Sequence, residues 1–437
     1  MSQAKKQSAL PSIIGCLVIQ LCVGIIYIWS ILSSGIKNSA TTSGMFGITN
    51  AYPSLTSPKL VATIMVLAFV VGNFIGGFIN DKKGPKITCI IGVALFSLGI
   101  GSSGLLTDGT IRLLPLTYSA MGGIGSGIAY GACISCIQKW LPHKKGLASG
   151  LAAFAFGLSS LVFGPVSRWL MGVFAANNEV NYTPVFLTLA GVFFVLGIIS
   201  CIFVTLPGSE YLASLPQTSA KSKVVATKKN YTLKEAAKTV PFWVLFLYIV
   251  FINGTWNLAQ PFLRQFGIER GLAEGVAVLV VSLAGIPNAL GKLLMAAASD
   301  RLGRIPTSLF LCGLTLAGAL FLTFIGGYGF MLFVFVIAFG YGGPSSINAA
   351  ISTDFFGPKN SGTNYGIIML GLGISSVLFN FINDNLLKKF VDAKNYAPTF
   401  IMGAATAVLA AACMLVINVY LKRMKKENAE AAEVTQG

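Results

Sequence analysis

Long apolar runs, each about as long as a bilayer is thick, alternate along this chain with short polar stretches. About 20 predominantly apolar residues are enough to cross the hydrocarbon core as a helix. Windows of this kind lie at 11–33, 59–80, 86–106, 112–138, 146–173, 184–206, 241–265, 274–298, 307–326, 330–353, 364–386 and 398–421. The widest polar interruption, 207–240, holds Pro207, Ser/Thr/Ala-rich sequence and six lysines, and it separates six windows from six. Within it, "TLKEAAKT" places Thr232 three residues before Glu235, a capping box that predicts a short surface helix ahead of the seventh window. The pattern predicts an all-α membrane protein of twelve transmembrane helices in two six-helix halves. The N-terminal half is 1–206, the linker 207–240, the C-terminal half 241–421 and the tail 422–437.

Composition strengthens the membrane reading. Of 437 residues, 54% are hydrophobic and 10% charged, against about a quarter charged in soluble domains. Lipid is therefore the expected solvent for most of the chain. The net charge of +17 does not point to nucleic acid, because the basic residues sit in short loops between apolar runs. With both termini cytoplasmic, 21 of the 31 Lys and Arg collect on the cytoplasmic side and 9 on the outer side, with Lys292 standing alone in a window. That excess predicts both termini inside, in a plasma membrane or the cytoplasmic membrane of a bacterium. "MSQAKKQSALPS" leads into the first window without a convincing cleavage site, so this window reads as a spanning helix and not as a signal peptide. Arg112, Arg168 and Arg264 fall near outer helix ends, where they are read as snorkelling, with an outer vestibule that attracts anions as the alternative.

Side-chain chemistry is sparse. All eight cysteines fall in apolar windows, where they pack as small hydrophobes. Cys133 and Cys136 form a CxxC without flanking polar ligands, so neither metal nor redox use is expected. The single histidine, His143, lies in a basic loop, which argues against histidine-based metal or triad chemistry. No cofactor is expected.

The two halves repeat. "GGFINDKKGPK" after the second window matches "AAASDRLGR" after the eighth, Asp81 over Asp300. At a constant offset of 216, Gly127, Pro142, Gly146, Gly150, Gly157, Ser159, Ser160 and Phe163 fall on Gly343, Pro358, Gly362, Gly366, Gly373, Ser375, Ser376 and Phe379. Paired six-span halves imply a carrier that rocks around a site at the bilayer midplane. Dense glycines (GGIGSG, GLASG, GYGG, GLG) let its helices pack closely and slide.

The short loops resemble the signature loop of the major facilitator superfamily, G-x-x-x-D-[RK]-x-G closed by basic residues. Gly77, Asp81, Lys82, Gly84 and Lys86 carry it in the first half. Asp300, Arg301, Gly303 and Arg304 carry it in the second, where the leading glycine is missing. The aspartate can accept from basic groups and from a helix N-terminus, latching the halves on the cytoplasmic side. "GIIYIWS" (24–30), "GIGSGIAYG" (123–131), "KWLPHKKGLASG" (139–150), "TLKEAAKTVPFWVL" (232–245) and "NYGIIMLGLG" (364–373) resemble the oxalate:formate antiporter branch, a relative of monocarboxylate transporters. The resemblance runs from the first window to the twelfth. It implies the major facilitator fold and transport of small organic anions by a cation in the eighth helix. The family's arginine there falls on Lys292 and its asparagine on Asn288, while the glycine after it is Ala289. The family's second cation, in the eleventh helix, falls on Leu372. The family's aromatic cage is matched at Tyr27, Trp29 and Tyr130, with Phe156 and Tyr341 where it also has bulky aromatics. Tyrosine hydroxyls would orient a carboxylate while ring faces cover its apolar end.

Lys292 can also be weighed from the residues alone. It precedes Asp300 by eight residues, roughly 12 Å along a helix, which exceeds the about 6 Å reach of a snorkelling lysine. None of the fourteen acidic residues lies in the middle of a window. A charge at the bilayer centre costs about 3 kcal/mol on insertion scales and usually marks a functional site. The expected counter-ion is the substrate.

The expected function is secondary active transport of a small monocarboxylate, such as formate, lactate, pyruvate or a short-chain acid, by alternating access. One cation suits one carboxylate, whereas oxalate would leave a charge unanswered in low dielectric. Without a mid-membrane carboxylate relay, two coupling routes remain. An empty charged lysine resists occlusion and enforces exchange, or it sheds its proton when empty, as an arginine does not, and takes one up with each anion. The lysine favours proton symport; strict exchange and a non-transporting carboxylate sensor are the alternatives. No carboxylate pair, histidine cluster or nucleotide loop supports an enzyme. The expected partners are a small organic anion, protons and the lipid bilayer, with the chain a monomer.

Overall fold

The structure, a computed structural model, describes residues 8–24, 29, 32, 58–107, 110–176, 179–215, 227 and 229–434. Helix α1 spans Leu10–Val23. Among the described residues, eleven further helices are long and apolar enough to cross a membrane. They are α2 (Pro58–Lys83), α3 (Pro85–Gly104), α4 (Ile111–Trp140), α5 (Lys145–Val173), α6 (Tyr182–Phe203) and α7 (Val240–Glu269). The rest are α8 (Glu274–Leu302), α9 (Arg304–Phe324), α10 (Gly327–Phe356), α11 (Ser361–Asp392) and α12 (Ala397–Val434). Each follows a window read from the sequence; of 11–33, the part beyond Gly24 is described only at Trp29 and Leu32. One two-residue ladder, Ala175–Ala176 against Glu179–Val180, interrupts the helical architecture.

Several helix faces carry exposed large apolar side chains. On α2, Leu67, Val71, Ile75 and Phe78 recur about once per turn, and all are exposed. On α6, Val192, Val195, Ile199 and Ile202 do the same. Stripes of this extent are liabilities in water and the natural surface against acyl chains. Two of the connections between helices are as short as one residue. A single glycine joins α2 to α3 and another joins α8 to α9: Gly84 at φ 81° and Gly303 at φ 101°. Only glycine enters that region without strain, which is why the repeated loop motif keeps one three residues after each aspartate.

The described chain divides into two packing units: Met1–Trp140 with Ala155–Pro216, and Leu141–Phe154 with Gln217–Gly437. In the first, glycines let α4 lie against both α2 and α3. A methyl on Gly127 would run into the Phe69 carbonyl, and one on Gly92 would sit 2.7 Å from the Ala129 amide nitrogen. Helix α1 is tied to α6 by the Ser12 hydroxyl, which donates to the Phe203 carbonyl at 2.8 Å. In the second unit, a methyl on Gly291 of α8 would overlap the Phe339 carbonyl of α10, and one on Gly342 would overlap the Asn288 carbonyl. The apolar core of this unit gathers Phe242, Leu245, Tyr248, Ile249, Ile347, Ile351, Ile368 and Met414 from α7, α10, α11 and α12.

The expected short helix ahead of α7 is present as Leu233–Ala236, with both arms of the Thr232–Glu235 capping box formed. The backbone amide and hydroxyl of Thr232 hold the Glu235 carboxyl below its usual range. The preceding residues are anchored. The Tyr231 amide donates to the Phe356 carbonyl at 2.9 Å, and the Tyr231 carbonyl accepts from Asn360 at 2.8 Å and Asn364 at 3.2 Å.

Replacing Gly127 by alanine is expected to force α2 and α4 apart at about 1–3 kcal/mol, the usual cost of overpacking a tight interior. Gly172→Ala, where a methyl meets nothing within 4 Å, is the control. Thermal unfolding in detergent should drop for Gly127→Ala alone; equal melting of the two variants contradicts the packing described.

Candidate functional site

Three layers of polar and aromatic residues stand out in the two units. The first lies at the end of the second unit where α8 meets α9. Asp300, near the C-terminus of α8, accepts the Gly146 amide on Oδ1 at 2.9 Å and the Leu147 amide on Oδ2 at 2.8 Å. Those are two of the first N–H groups of α5, which have no partner inside their own helix and sit at the positive end of its dipole. Gly146 is essential to the fit, because a methyl there would strike the Ala296 carbonyl. Arg304 then joins three groups: its Nη1 meets Asp300 at 2.7 Å and donates to the Ser299 hydroxyl at 2.6 Å, and its Nε donates to Asp354 at 2.9 Å. Lys145 completes the set, its ammonium 2.8 Å from the other oxygen of Asp354. Two carboxylates and two cations balance, and every one has a partner, as buried charge demands. Of the second-half motif residues, Asp300 and Arg304 are therefore brought together and Gly303 makes the turn, while Arg301 is exposed.

In the first-half motif, Gly77 is buried and Asp81 half-buried at the end of α2, Gly84 makes the turn, and the exposed Lys82 lies over the Phe78 ring at 4.1 Å. The neighbouring Asn80 donates to Ser135 at 3.2 Å.

The second layer takes in Lys292 and residues of α7, α10 and α11. Its side chain is 4% exposed, in the interior of the spanning helix α8. Gly150 of α5 comes so close that a methyl there would lie 2.9 Å from the Lys292 carbonyl, while Gly291 and Gly342 bring α10 against the same stretch. Asn288 is one turn away on α8 and buried. Tyr341, beside Gly342, stacks on Trp256 of α7 with ring centroids 5.4 Å apart. Asn257, next to Trp256, donates to Ser375 of α11 at 3.0 Å. Leu372 is half-buried and packs on the apolar core of this unit.

The third layer is aromatic and belongs to the first unit. The rings of Phe69, Tyr130 and Phe156 sit 4.9–5.5 Å apart. Gln20 donates to the Tyr130 carbonyl at 3.2 Å, and Ser126 donates to the Val23 carbonyl at 2.7 Å, binding α1 to α4 beside this cluster. Trp29 packs on Tyr118 at 4.8 Å. Tyr27 lies outside the described residues.

Sequence reasoning missed Lys145, Ser299 and Asp354, together with Trp256 and Phe69. One signal was available. At the repeat offset of 216, Asp354 falls on Gln138, so the second half carries a carboxylate where the first carries an amide. Nothing in the spacing distinguishes Trp256 or Phe69 from any other aromatic in an apolar run.

Arg304→Met would leave Asp300 and Asp354 buried without their guanidinium, a change that costs about 3–5 kcal/mol when one member of a buried pair is removed. Arg304→Lys should recover only part of this, since one ammonium does not reproduce a planar fork that reaches two carboxylates. Melting temperatures of the two purified variants test the assignment; a wild-type melt for Arg304→Met would refute it.

Comparison with known proteins places this architecture. The family model described as Major Facilitator Superfamily matches residues 13–380. The oxalate:formate antiporter of Oxalobacter formigenes is 25% identical over 90% of this chain and 88% of its own length. Apicoplast pyruvate carrier 1 of Toxoplasma gondii is 24% identical, covering 87% and 84%. The crystal structure of the transporter FucP in its outward conformation superposes with a TM-score of 0.68 at 13% identity, covering 93% of this chain and 98% of that one, a likeness of fold. Spanning helices, repeated aspartate–glycine loops and these relatives agree: the chain belongs to the Major Facilitator Superfamily and is a multi-pass secondary transporter, not an enzyme.

Proposed function

We propose that this transporter carries a small monocarboxylate, of the formate, lactate, pyruvate or short-chain acid class, and that Lys292 binds its carboxylate. The observation that carries the reading is a lysine buried in the interior of a spanning helix, at a stretch where glycines draw α5 and α10 against its backbone. Ionisable groups at such positions are expensive to insert and line substrate paths. The similar proteins support the same chemistry, one being named for oxalate and formate and another for pyruvate. Asn288 supplies hydrogen bonds one turn from the ammonium. The Trp256–Tyr341 stack offers an apolar wall for the rest of the substrate. Tyr27, Trp29, Tyr130 and Phe156 are the first unit's share of the proposed contacts. Gly77, Asp81, Lys82, Gly84, Asp300, Arg301, Gly303 and Arg304 serve the conformational change. Leu372, packed among apolar side chains, supplies no second cation, so a dicarboxylate is the poorer ligand. The basic excess on the linker side supports cytoplasmic termini.

Proton symport is the preferred coupling. The acidic residues described lie away from the middles of the spanning helices, leaving the lysine itself as the proton carrier, neutral when empty and protonated with its anion. Strict exchange is the competing reading.

Uptake by reconstituted vesicles against a panel of labelled carboxylates tests the substrate class. Lys292→Ala and Lys292→Gln should abolish uptake and binding while inserting normally, and Lys292→Arg should retain part of both. Oxalate should compete less well than the preferred monocarboxylate. Unchanged uptake in Lys292→Ala, or oxalate displacing at equal concentration, would overturn the assignment.

Coupling is read in vesicles that hold no internal substrate, under an inward proton gradient. Symport predicts net accumulation that a protonophore collapses. Flux that needs substrate on the far side would instead establish exchange.

A further inference from the structure

Four cysteines that are scattered through the sequence meet in the first unit. Cys16 comes from α1, Cys89 from α3, and Cys133 and Cys136 from successive turns of α4; each is fully buried and unbridged. Cys133 is the centre. Its sulfur lies 3.7 Å from that of Cys89. Glycine explains the meeting. On the antiparallel α3–α4 crossing, a methyl on Gly92 would sit 2.7 Å from the Ala129 nitrogen, so the two backbones run in close contact one turn from the Cys89–Cys133 pair.

We propose that Cys89 and Cys133 form an oxidisable dithiol, a modification site at which a peroxide-class oxidant joins α3 to α4 by a disulfide. The sulfurs are in van der Waals contact, and a modest side-chain rotation takes them toward the about 2.05 Å of an S–S bond without separating helices that glycine already holds together. The chemistry is that of thiol oxidation by hydrogen peroxide. The sulfur of one thiol attacks a peroxide oxygen; the S–O bond forms, the O–O bond breaks, and water leaves behind a sulfenic acid. The second sulfur then attacks the first, the S–S bond forms, the S–O bond breaks, and a second water departs. Two thiols lose two protons and two electrons, and one peroxide takes them up to become two waters.

Access is short. Cys136 donates to the Thr205 carbonyl at 3.4 Å, beside the Trp140 indole, which donates to the same carbonyl at 2.7 Å where α4 and α6 end. The cluster therefore lies one to two turns from the ends of its helices, and a small neutral peroxide crosses that depth more readily than a charged reagent. Cys133 also follows Tyr130 by one turn on α4, so the bond would pin the helix segment next to the aromatic cluster.

The test uses the full chain in membranes, treated with hydrogen peroxide, alkylated, digested and analysed by mass spectrometry, with and without dithiothreitol. The expected result is a Cys89–Cys133 linked peptide pair that dithiothreitol separates. In Cys89→Ser no link to Cys133 should form, and in Cys133→Ser no link to Cys89. Cys312→Ser, which removes a buried thiol from the second unit, is the comparison and should link as the wild type does. Recovery of Cys89 and Cys133 as free thiols under oxidant, or their conversion to sulfinic acid without a link, overturns the proposal. So does a link confined to Cys133 and Cys136.

Discussion

A charge removed from water must be answered nearby, and this chain is organised around that constraint. Its 10% charged residues collect at helix ends, and where charge is buried it is arranged with care. Asp300 is met by two backbone amides and Arg304, Asp354 by Arg304 and Lys145. The glycines follow from the same constraint. Only with Gly146 at the start of α5 do its first N–H groups reach the Asp300 carboxylate, and only a bare backbone lets helices close tightly enough to exclude water from such a cluster. Lys292 is the proposed use of the same constraint: a cation held in the interior of α8, offered as the site for a carboxylate.

Much of this was legible in the sequence because membrane physics writes it in one dimension. A spanning helix must be a continuous apolar run, so α2 to α12 follow their windows closely. Thr232 and Glu235 are three residues apart, and their capping box depends only on that spacing. The turn glycines Gly84 and Gly303 are local too, each fixed by a backbone angle.

The site was legible only in part, since its partners come from distant segments. Asp300 and Arg304 lie four residues apart and could be read as a motif, but Lys145 and Asp354 are separated by 209 positions and look like ordinary end-of-helix charges. Trp256 became visible only through the ring it stacks on. The cysteines show the reverse. Cys133 and Cys136, the pair that spacing singled out, are less telling than Cys133 and Cys89, which share no motif and meet through a glycine crossing. A sequence shows which residues a helix carries; it does not show which faces meet.

The balance of the Arg304 cluster has a consequence for how ionic strength acts on this protein. Two positive and two negative groups packed within hydrogen-bond distance cast little field beyond themselves. Mobile ions, which screen exposed charges beyond about 8 Å at physiological ionic strength, hardly reach buried ones. Salt therefore leaves that end of the bundle intact. It acts instead on the net charge of +17, the long-range attraction that draws anions to the surface. Ionic strength thus acts on the field around the protein, and not on how firmly the Arg304 cluster is built.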